Sequence, residues 1–103
     1  MKQVHKKKLY DTKTAERVGE FWNGYGYSDF HYQLEVIYVT KQGAWFIHAK
    51  GGAFTEYADH FGNSVSDGER IIPVSKDEAL QWLTQHGLTE AIEKYFADEI
   101  EEA

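Results

Sequence analysis

The chain has 103 residues, of which 42% are apolar and 16% aromatic; it carries a formal net charge of −6 at pH 7 and no cysteine. This composition predicts one folded domain over residues 1–103 and argues against intrinsic disorder. The lack of cysteine excludes disulfide frameworks, thiolate metal sites and cysteine nucleophiles and suits the cytoplasm, and no apolar run approaches the roughly 18 residues that cross a membrane.

The charge is distributed unevenly along the chain. Residues 1–8 contain four lysines and no acidic residue, whereas residues 77–103 contain eight acidic residues and one lysine. A net acidic chain lacks the basic face that phosphate neutralisation requires, which argues against general nucleic-acid binding. The acidic charge is compatible with binding to a basic protein surface, although it can also serve only to keep a small domain in solution.

The N-terminal third predicts short strands separated by a loop. Lys6–Asp11 is expected to be a short strand with a charged lead-in. Residues 12–22 fit both helical and strand spacing, and Gly19 tips the choice toward a strand because glycine destabilises a helix interior by about 1 kcal/mol. Residues 23–29, with the sequence NGYGYSD, carry turn chemistry and predict a loop.

The segment FHYQLEVIYVT, Phe30–Thr40, is the clearest strand, because it is rich in β-branched and aromatic residues. A tight turn at residues 41–43, with Gly43 at positive φ, should return the chain into the strand Ala44–Ala49. Both strands are apolar on both faces, which predicts a central hairpin over residues 30–49. We expect Gly51 and Gly52 to turn the chain away from the sheet at positive φ rather than to cradle a phosphate.

The segment between residues 50 and 75 predicts little regular structure. It is polar and glycine-rich, with at most one helical turn near residues 55–60 and an edge strand over Arg70–Ser75 that Pro73 ends.

The C-terminal third predicts two helices. Ser75 and Glu78 form a capping box at the start of the first helix, which stops at Gly87, and Thr89 can cap the second. The expected fold is therefore α+β: an antiparallel sheet of about three to five strands with two C-terminal helices on one face.

Catalytic and metal-binding patterns are missing from the sequence. The five histidines lack the close pairs that bind zinc, and the grouping of Asp59, His60, Ser64 and Ser66 has the composition of an ordinary polar loop without a nucleophile elbow. We therefore expect no catalytic residue, no metal and no cofactor.

The aromatic loop is the best candidate for binding. Trp22 and Phe30 are expected in the core, whereas Tyr25 and Tyr27 lie between glycines where burial is difficult, and tyrosine is common at interfaces. The segment after the glycine pair is expected to expose Phe54, Glu56 and Tyr57 beside this loop. His48 is expected to be a strand histidine packed beside the helices.

Three segments together resemble a family of small accessory proteins encoded by phages, plasmids and integrative elements of Gram-positive bacteria. They are KLYDTKTAERVGEF, SDFHYQLEVIYVTKQGAWFIHAKGG and IIPVSKDEALQWL, which fall between Lys8 and Leu83. The family pattern has Leu-Tyr-x-Thr-Lys where this chain has Ile37-Tyr-Val-Thr-Lys41. These motifs consist of turn and core residues, and the resemblance assigns no catalytic residue to this chain.

The resemblance implies a non-enzymatic protein of a mobile element, and small acidic proteins of such elements often inhibit host defence, as anti-CRISPR proteins do. The expected partner is a host protein with a basic surface, such as a CRISPR effector, in the cytoplasm of the bacterial host. The alternative is a nucleic-acid-binding regulator that uses Lys6–Lys8, Lys50 and the sheet aromatics. The chain could act as a monomer or a homodimer. The expected partner-binding residues are Tyr25, Tyr27, Asp29, Phe54, Glu56, Tyr57, Glu93, Asp98 and Glu99.

Overall fold

The computed structural model describes all 103 residues and contains eight strands and two α-helices. The strands are β1 (Lys2–His5), β2 (Lys8–Asp11), β3 (Glu16–Trp22), β4 (Gln33–Val39), β5 (Trp45–Gly51), β6 (Asp59–Phe61), β7 (Ser64–Ser66) and β8 (Gly68–Val74). The helices are α1 (Lys76–Gln85) and α2 (Thr89–Tyr95), and a 3₁₀ turn follows at Ala97–Glu99. No helix is long and apolar enough to cross a membrane.

The main sheet has four antiparallel strands in the order β3-β4-β5-β8. The hairpin β4–β5 lies at its centre, as the dense apolar pattern of these strands predicts, and Gly43 in its turn has φ of 86°. The predicted strand start at Phe30 is wrong: β4 begins at Gln33, because the carbonyls of Phe30 and Tyr32 accept from the loop residues Phe54 and Gly52 instead of from a neighbouring strand. β1–β2 and β6–β7 form two separate two-stranded hairpins. The predicted α+β class, with strands followed by C-terminal helices, is therefore confirmed.

Both helices pack on one face of the sheet and form the main core. Ile37 and Ile47 from the central strands meet Leu83 of α1, and Trp45 stacks on Phe96 at 5.2 Å between ring centroids. Gly19 lies beneath the link between the helices, where a Cβ atom would come within 2.6 Å of the Leu88 side chain. The helix layer thus covers all four strands.

The opposite face of the sheet is partly covered by the N-terminal hairpin. Tyr10 packs edge-on against Phe46 in a small second core that includes Ile71. The turn residues Lys6 and Lys7 both have positive φ, the geometry that a two-residue hairpin turn requires. The prediction of a strand over Lys6–Asp11 is wrong at its start, because Lys-Lys lacks the asparagine or glycine that signals such a turn.

The polar segment after the central hairpin is more regular than its composition predicts. The expected helical turn near residues 55–60 is absent, and residues 59–66 form the hairpin β6–β7 instead. β8 begins at Gly68, and Pro73 lies inside it opposite Phe46 rather than ending it. Proline is tolerated there because β8 is an edge strand of the main sheet.

The helix boundaries follow the predicted signals with one exception. Ser75 and Glu78 form the complete capping box at the start of α1, and Gly87 after its end has φ of 69°. Thr89 does not cap α2: the N-cap position is Leu88, and no side chain caps this helix. The segment 12–22, whose pattern fits both a helix and a strand, contains strand β3. The preference for a strand, based on Gly19, is therefore confirmed.

Candidate protein-binding surface

The four-stranded sheet has two ends that carry different loops. At one end, here called the loop end, the terminal residues of the four strands are Trp22, Gln33, Gly51 and Gly68. The connections 23–32 and 52–58 project from this end. At the other, here the turn end, lie the β4–β5 turn and the start of α1. Each strand has seven residues, so the two ends are about 20 Å apart at ~3.3 Å per residue.

The first loop is held by asparagine and aspartate side chains. Asn23 Nδ2 donates to the carbonyl of His31 at 2.7 Å, and Asn23 Oδ1 accepts from the backbone N–H of Gln33 at 3.1 Å. Asp29 Oδ1 accepts from the backbone N–H of His31 at 2.7 Å. These hydrogen bonds hold the loop 23–32 in a defined conformation, so its aromatic residues project from an ordered backbone.

The second loop docks on the first through its backbone. The N–H of Gly52 donates to Tyr32 O at 2.8 Å, and the N–H of Phe54 donates to Phe30 O at 2.9 Å. A Cβ atom on residue 52 would lie 2.5 Å from Phe30 O, and one on residue 51 would lie 2.0 Å from Thr55 Oγ1. Neither glycine has positive φ, so the prediction that Gly51 and Gly52 turn the chain at positive φ is wrong. Glycine is required at both positions because neighbouring atoms leave no room for a Cβ atom.

Five ring side chains form a continuous exposed surface on these loops, here called the aromatic run. Trp22 Nε1 donates to Tyr25 O at 2.7 Å, the Tyr25 ring lies 5.6 Å from His31, and Phe54 lies 5.3 Å from His31 and 5.0 Å from Phe30. Trp22, Tyr25, Phe30 and Phe54 are 48–65% exposed. The prediction that Trp22 and Phe30 are core residues is therefore wrong, whereas Tyr25 and Phe54 are exposed as expected.

Strand alternation explains why Trp22 is exposed. Neighbouring residues of a strand point to opposite faces, and Phe21 stacks on His86 just after α1, at 4.3 Å between centroids. Trp22 must then face away from the helices. This alternation was the one signal in the sequence that could have predicted the exposure of Trp22. No local signal indicates that the His31 ring lies between the rings of Tyr25 and Phe54.

A groove of about 330 Å³ lies beside the aromatic run at the loop end. Tyr27, which is exposed as expected, contacts Tyr32 with 5.4 Å between ring centroids and 60° between ring planes. The lining residues are Tyr27, Tyr32, Lys50, Gly51, Gly52, Asp59, Asp67, Gly68 and Glu69. Burial raises the pKa of Tyr32 above its ordinary value of 10.0, with smaller effects from Tyr27 and Glu20.

Tyr57 is a core residue and is unavailable to a partner. It is only 7% exposed and belongs to the core beneath the helices. Burial, reinforced by the carboxylates of Glu35 and Glu56, raises its pKa far above the ordinary value. The expectation that Tyr57 is exposed with Phe54 and Glu56 is therefore wrong for Tyr57, while Glu56 is exposed.

The C-terminal acids lie away from the aromatic run. Lys94, beside Glu93, approaches Glu16 at 3.7 Å, and Glu99 pairs with Lys76 at 3.0 Å. These contacts place Glu93, Asp98 and Glu99 at the turn end. The structure therefore divides the expected partner-binding residues between two ends of the sheet, with Tyr25, Tyr27, Asp29, Phe54 and Glu56 on the loop end.

The lysines of the nucleic-acid alternative are divided in the same way. Lys8 lines a cleft with Thr40 and Gln42 of the β4–β5 turn, which places the basic hairpin turn toward the turn end. Lys50 is at the loop end, where its Nζ lies 3.8 Å from Glu69. These lysines and the loop-end aromatics do not form one basic surface.

No histidine ring forms a hydrogen bond with a serine hydroxyl group. His48 Nε2 lies 2.7 Å from Glu69 Oε2, on the face opposite the helices, so the expected position of His48 beside the helices is wrong. His60 makes no hydrogen bond to Ser64 or Ser66, whose hydroxyl group donates to Asp67 O. No three acidic, histidine or cysteine side chains are grouped closely enough to hold a metal ion.

No family model matches the sequence, and no curated protein or solved structure matches it either. The resemblance to mobile-element proteins stays a prediction from the motifs.

Proposed function

We propose that this chain is a non-enzymatic protein that binds another protein through its loop end. The observation that carries the proposal is the aromatic run, in which Trp22, Tyr25, Phe30, His31 and Phe54 form a contiguous exposed surface. Single exposed rings are common on monomeric proteins, but contiguous apolar patches mark sites of interaction. Tryptophan and tyrosine are also the residues that contribute most to protein interfaces.

The loop end has the rigidity that favours binding. The backbone bonds from Gly52 and Phe54 to the first loop hold both segments in place before any partner arrives. Ordering loops on association costs free energy, so a braced surface retains more of the free energy of burying its rings. The rings can then supply affinity without a large interface.

The charge around the aromatic run supports a basic protein partner. Asp29 and Glu56 lie on the two loops, and the carboxylates of Asp59, Asp67 and Glu69 are close by, against one lysine, Lys50. Such a surface attracts a basic partner and repels phosphate. Protein recognition is therefore favoured over the nucleic-acid alternative.

The resemblance of the sequence supplies the class of partner. On that ground we place the chain among proteins of mobile elements that inhibit a host defence complex, with a CRISPR effector as the first partner to test. An inhibitor of this kind would act in the cytoplasm of the bacterial host by occupying a basic channel of the effector. The charges at the loop end would favour that encounter and the rings would hold it.

Site-specific photocrosslinking tests the surface. A photoreactive phenylalanine replaces Phe54 in one variant and Glu93 at the turn end in a matched control, and each is mixed with purified CRISPR effectors. We expect crosslinks from position 54 only, and we expect Tyr25→Ala with Trp22→Ala to abolish them. Crosslinks from position 93 alone would overturn the loop-end assignment.

Two further outcomes bear on the partner. Binding to no CRISPR effector, with crosslinks from position 54 to another host protein, would reject the CRISPR assignment and keep the surface. A gel shift of DNA or RNA that survives moderate salt, and is lost when Lys6, Lys7 and Lys8 are replaced by glutamine, would favour the nucleic-acid regulator.

A further inference from the structure

The groove at the loop end has one aromatic wall and one acidic wall. Tyr27 and Tyr32 stand on the loop 23–32, while Asp59 and Asp67 stand at the base of the β6–β7 hairpin. Gly51, Gly52 and Gly68 line the groove between them. The backbone bond from Gly52 to Tyr32 fixes the distance between the aromatic wall and the groove floor.

Two carboxylates of the groove have no partner within the chain. Asp59 and Asp67 accept no hydrogen bond and form no ion pair through their side chains, although both are exposed at the groove. Glu69 differs, because His48 and Lys50 both approach its Oε2. The groove therefore keeps negative charge in excess over its single lysine, next to two tyrosine rings.

We propose that this groove receives an arginine side chain of the protein partner, an inference that rests on the proposed function. The guanidinium stacks on the face of the exposed Tyr27 ring, which Tyr32 supports from the side with its ring plane at 60°, and donates hydrogen bonds to Asp59 and Asp67. A planar cation with several donors gains from both walls at once, since it stacks on rings and pairs with carboxylates. The arginine thus fixes the position of the aromatic run on the partner.

Other occupants fit this groove less well. A phosphate or an acidic side chain would meet uncompensated carboxylates. A lysine would pair with the acids as a point charge but could not stack a planar group on the tyrosines. A divalent metal would need a closer set of ligands than the structure provides.

A small probe tests the groove without the partner. Acetyl-arginine amide is titrated into the whole isotope-labelled chain, and acetyl-citrulline amide, which has nearly the same shape and no charge, is the matched compound. We expect the arginine compound to shift the backbone amide signals of Gly51, Gly52 and Gly68 in a saturable manner. Equal shifts with the citrulline compound would overturn the proposal.

Variants of each wall identify the contacts. Asp59→Asn with Asp67→Asn should weaken binding of the arginine probe about tenfold, the loss expected for two partly screened ion pairs. Glu93→Gln with Asp98→Asn makes the same change of charge at the turn end and should have little effect. Tyr27→Phe should keep binding and Tyr27→Leu should weaken it, because only the first retains a ring.

The outcomes separate this inference from the proposed function. If position 54 crosslinks to a partner but the arginine probe does not bind the groove, the aromatic run remains the binding surface and the arginine site is rejected. If the probe binds as expected and no partner crosslinks from position 54, the groove stands while the proposed function fails. Unchanged probe affinity in the Asp59 and Asp67 variant rejects the assigned contacts.

Discussion

Trp82 of α1 donates its indole Nε1–H to Glu35 Oε1 of β4 at 2.8 Å, across 47 residues of chain. The second carboxylate oxygen of Glu35 accepts from Gln33 Nε2 at 2.8 Å. Gln33 begins β4 immediately after the aromatic loop. The buried Glu35–Trp82 pair therefore connects the helix layer to the strand that anchors the loop end.

Removal of the Glu35 carboxylate should destabilise the fold. In Glu35→Ala the buried indole N–H of Trp82 loses its acceptor, which costs about 1–3 kcal/mol, whereas Glu35→Gln retains an acceptor and should lose much less. Urea unfolding followed by circular dichroism measures both. A double-mutant cycle with Trp82→Phe should show coupling between the two side chains, and strictly additive effects would contradict it.

Gly52→Ala should disrupt the loop end. The new Cβ would lie 2.5 Å from Phe30 O and 2.6 Å from Asp29 O, and backbone atoms cannot move aside as a flexible side chain can. We expect a loss of about 1–3 kcal/mol in the free energy of unfolding together with loss of partner binding. Gly26→Ala is the control, because its Cβ meets nothing within 4 Å. Equal stability of the two variants would argue against the docked loops.

Acrylamide should quench one tryptophan of the three. Trp22 is 53% exposed, whereas Trp45 and Trp82 are buried. We expect Trp22→Phe to remove most of the quenchable fluorescence and Trp45→Phe to leave it in place. A bound partner should also protect Trp22. Quenching that persists unchanged in Trp22→Phe would mean that this side chain is buried in solution.

Acid should weaken the start of α1. The Ser75 backbone N–H, and then its side chain, lower the pKa of Glu78 below its ordinary value of 4.5. The pKa of Glu78 is lower in the folded chain than in the unfolded chain. The ionised Glu78 carboxylate therefore contributes fully to the free energy of unfolding at pH values above its unfolded pKa, and this contribution is lost as the pH falls through its folded pKa. Glu78→Gln should therefore lose less stability on acidification than wild type, as urea midpoints will show. Glu93→Gln is the matched control, because it removes one carboxylate from an exposed position of α2 and leaves the capping box intact.

Local features of the chain could be predicted because their causes lie within a few residues. The apolar pattern of residues 33–49 specifies the central hairpin, although not its start, and the short spacing from Ser75 to Glu78 specifies the helix start. Gly43 and Gly87 take the positive φ that a turn and a helix end require. The turn at Lys6-Lys7 could not be predicted from the local pattern, because lysine rarely adopts the positive φ that this turn requires.

The sequence by itself determined the fold class, the central hairpin and the exposure of Tyr25, Tyr27 and Phe54, because strand alternation, capping and glycine act locally. Only the tertiary structure decided that Tyr57 enters the core, that Phe30 leaves it, and that the C-terminal acids lie at the far end of the sheet. These placements depend on contacts between distant segments, such as Phe30 with Phe54 and Glu35 with Trp82. No local pattern encodes them, since each partner is chosen by the packing of the whole chain.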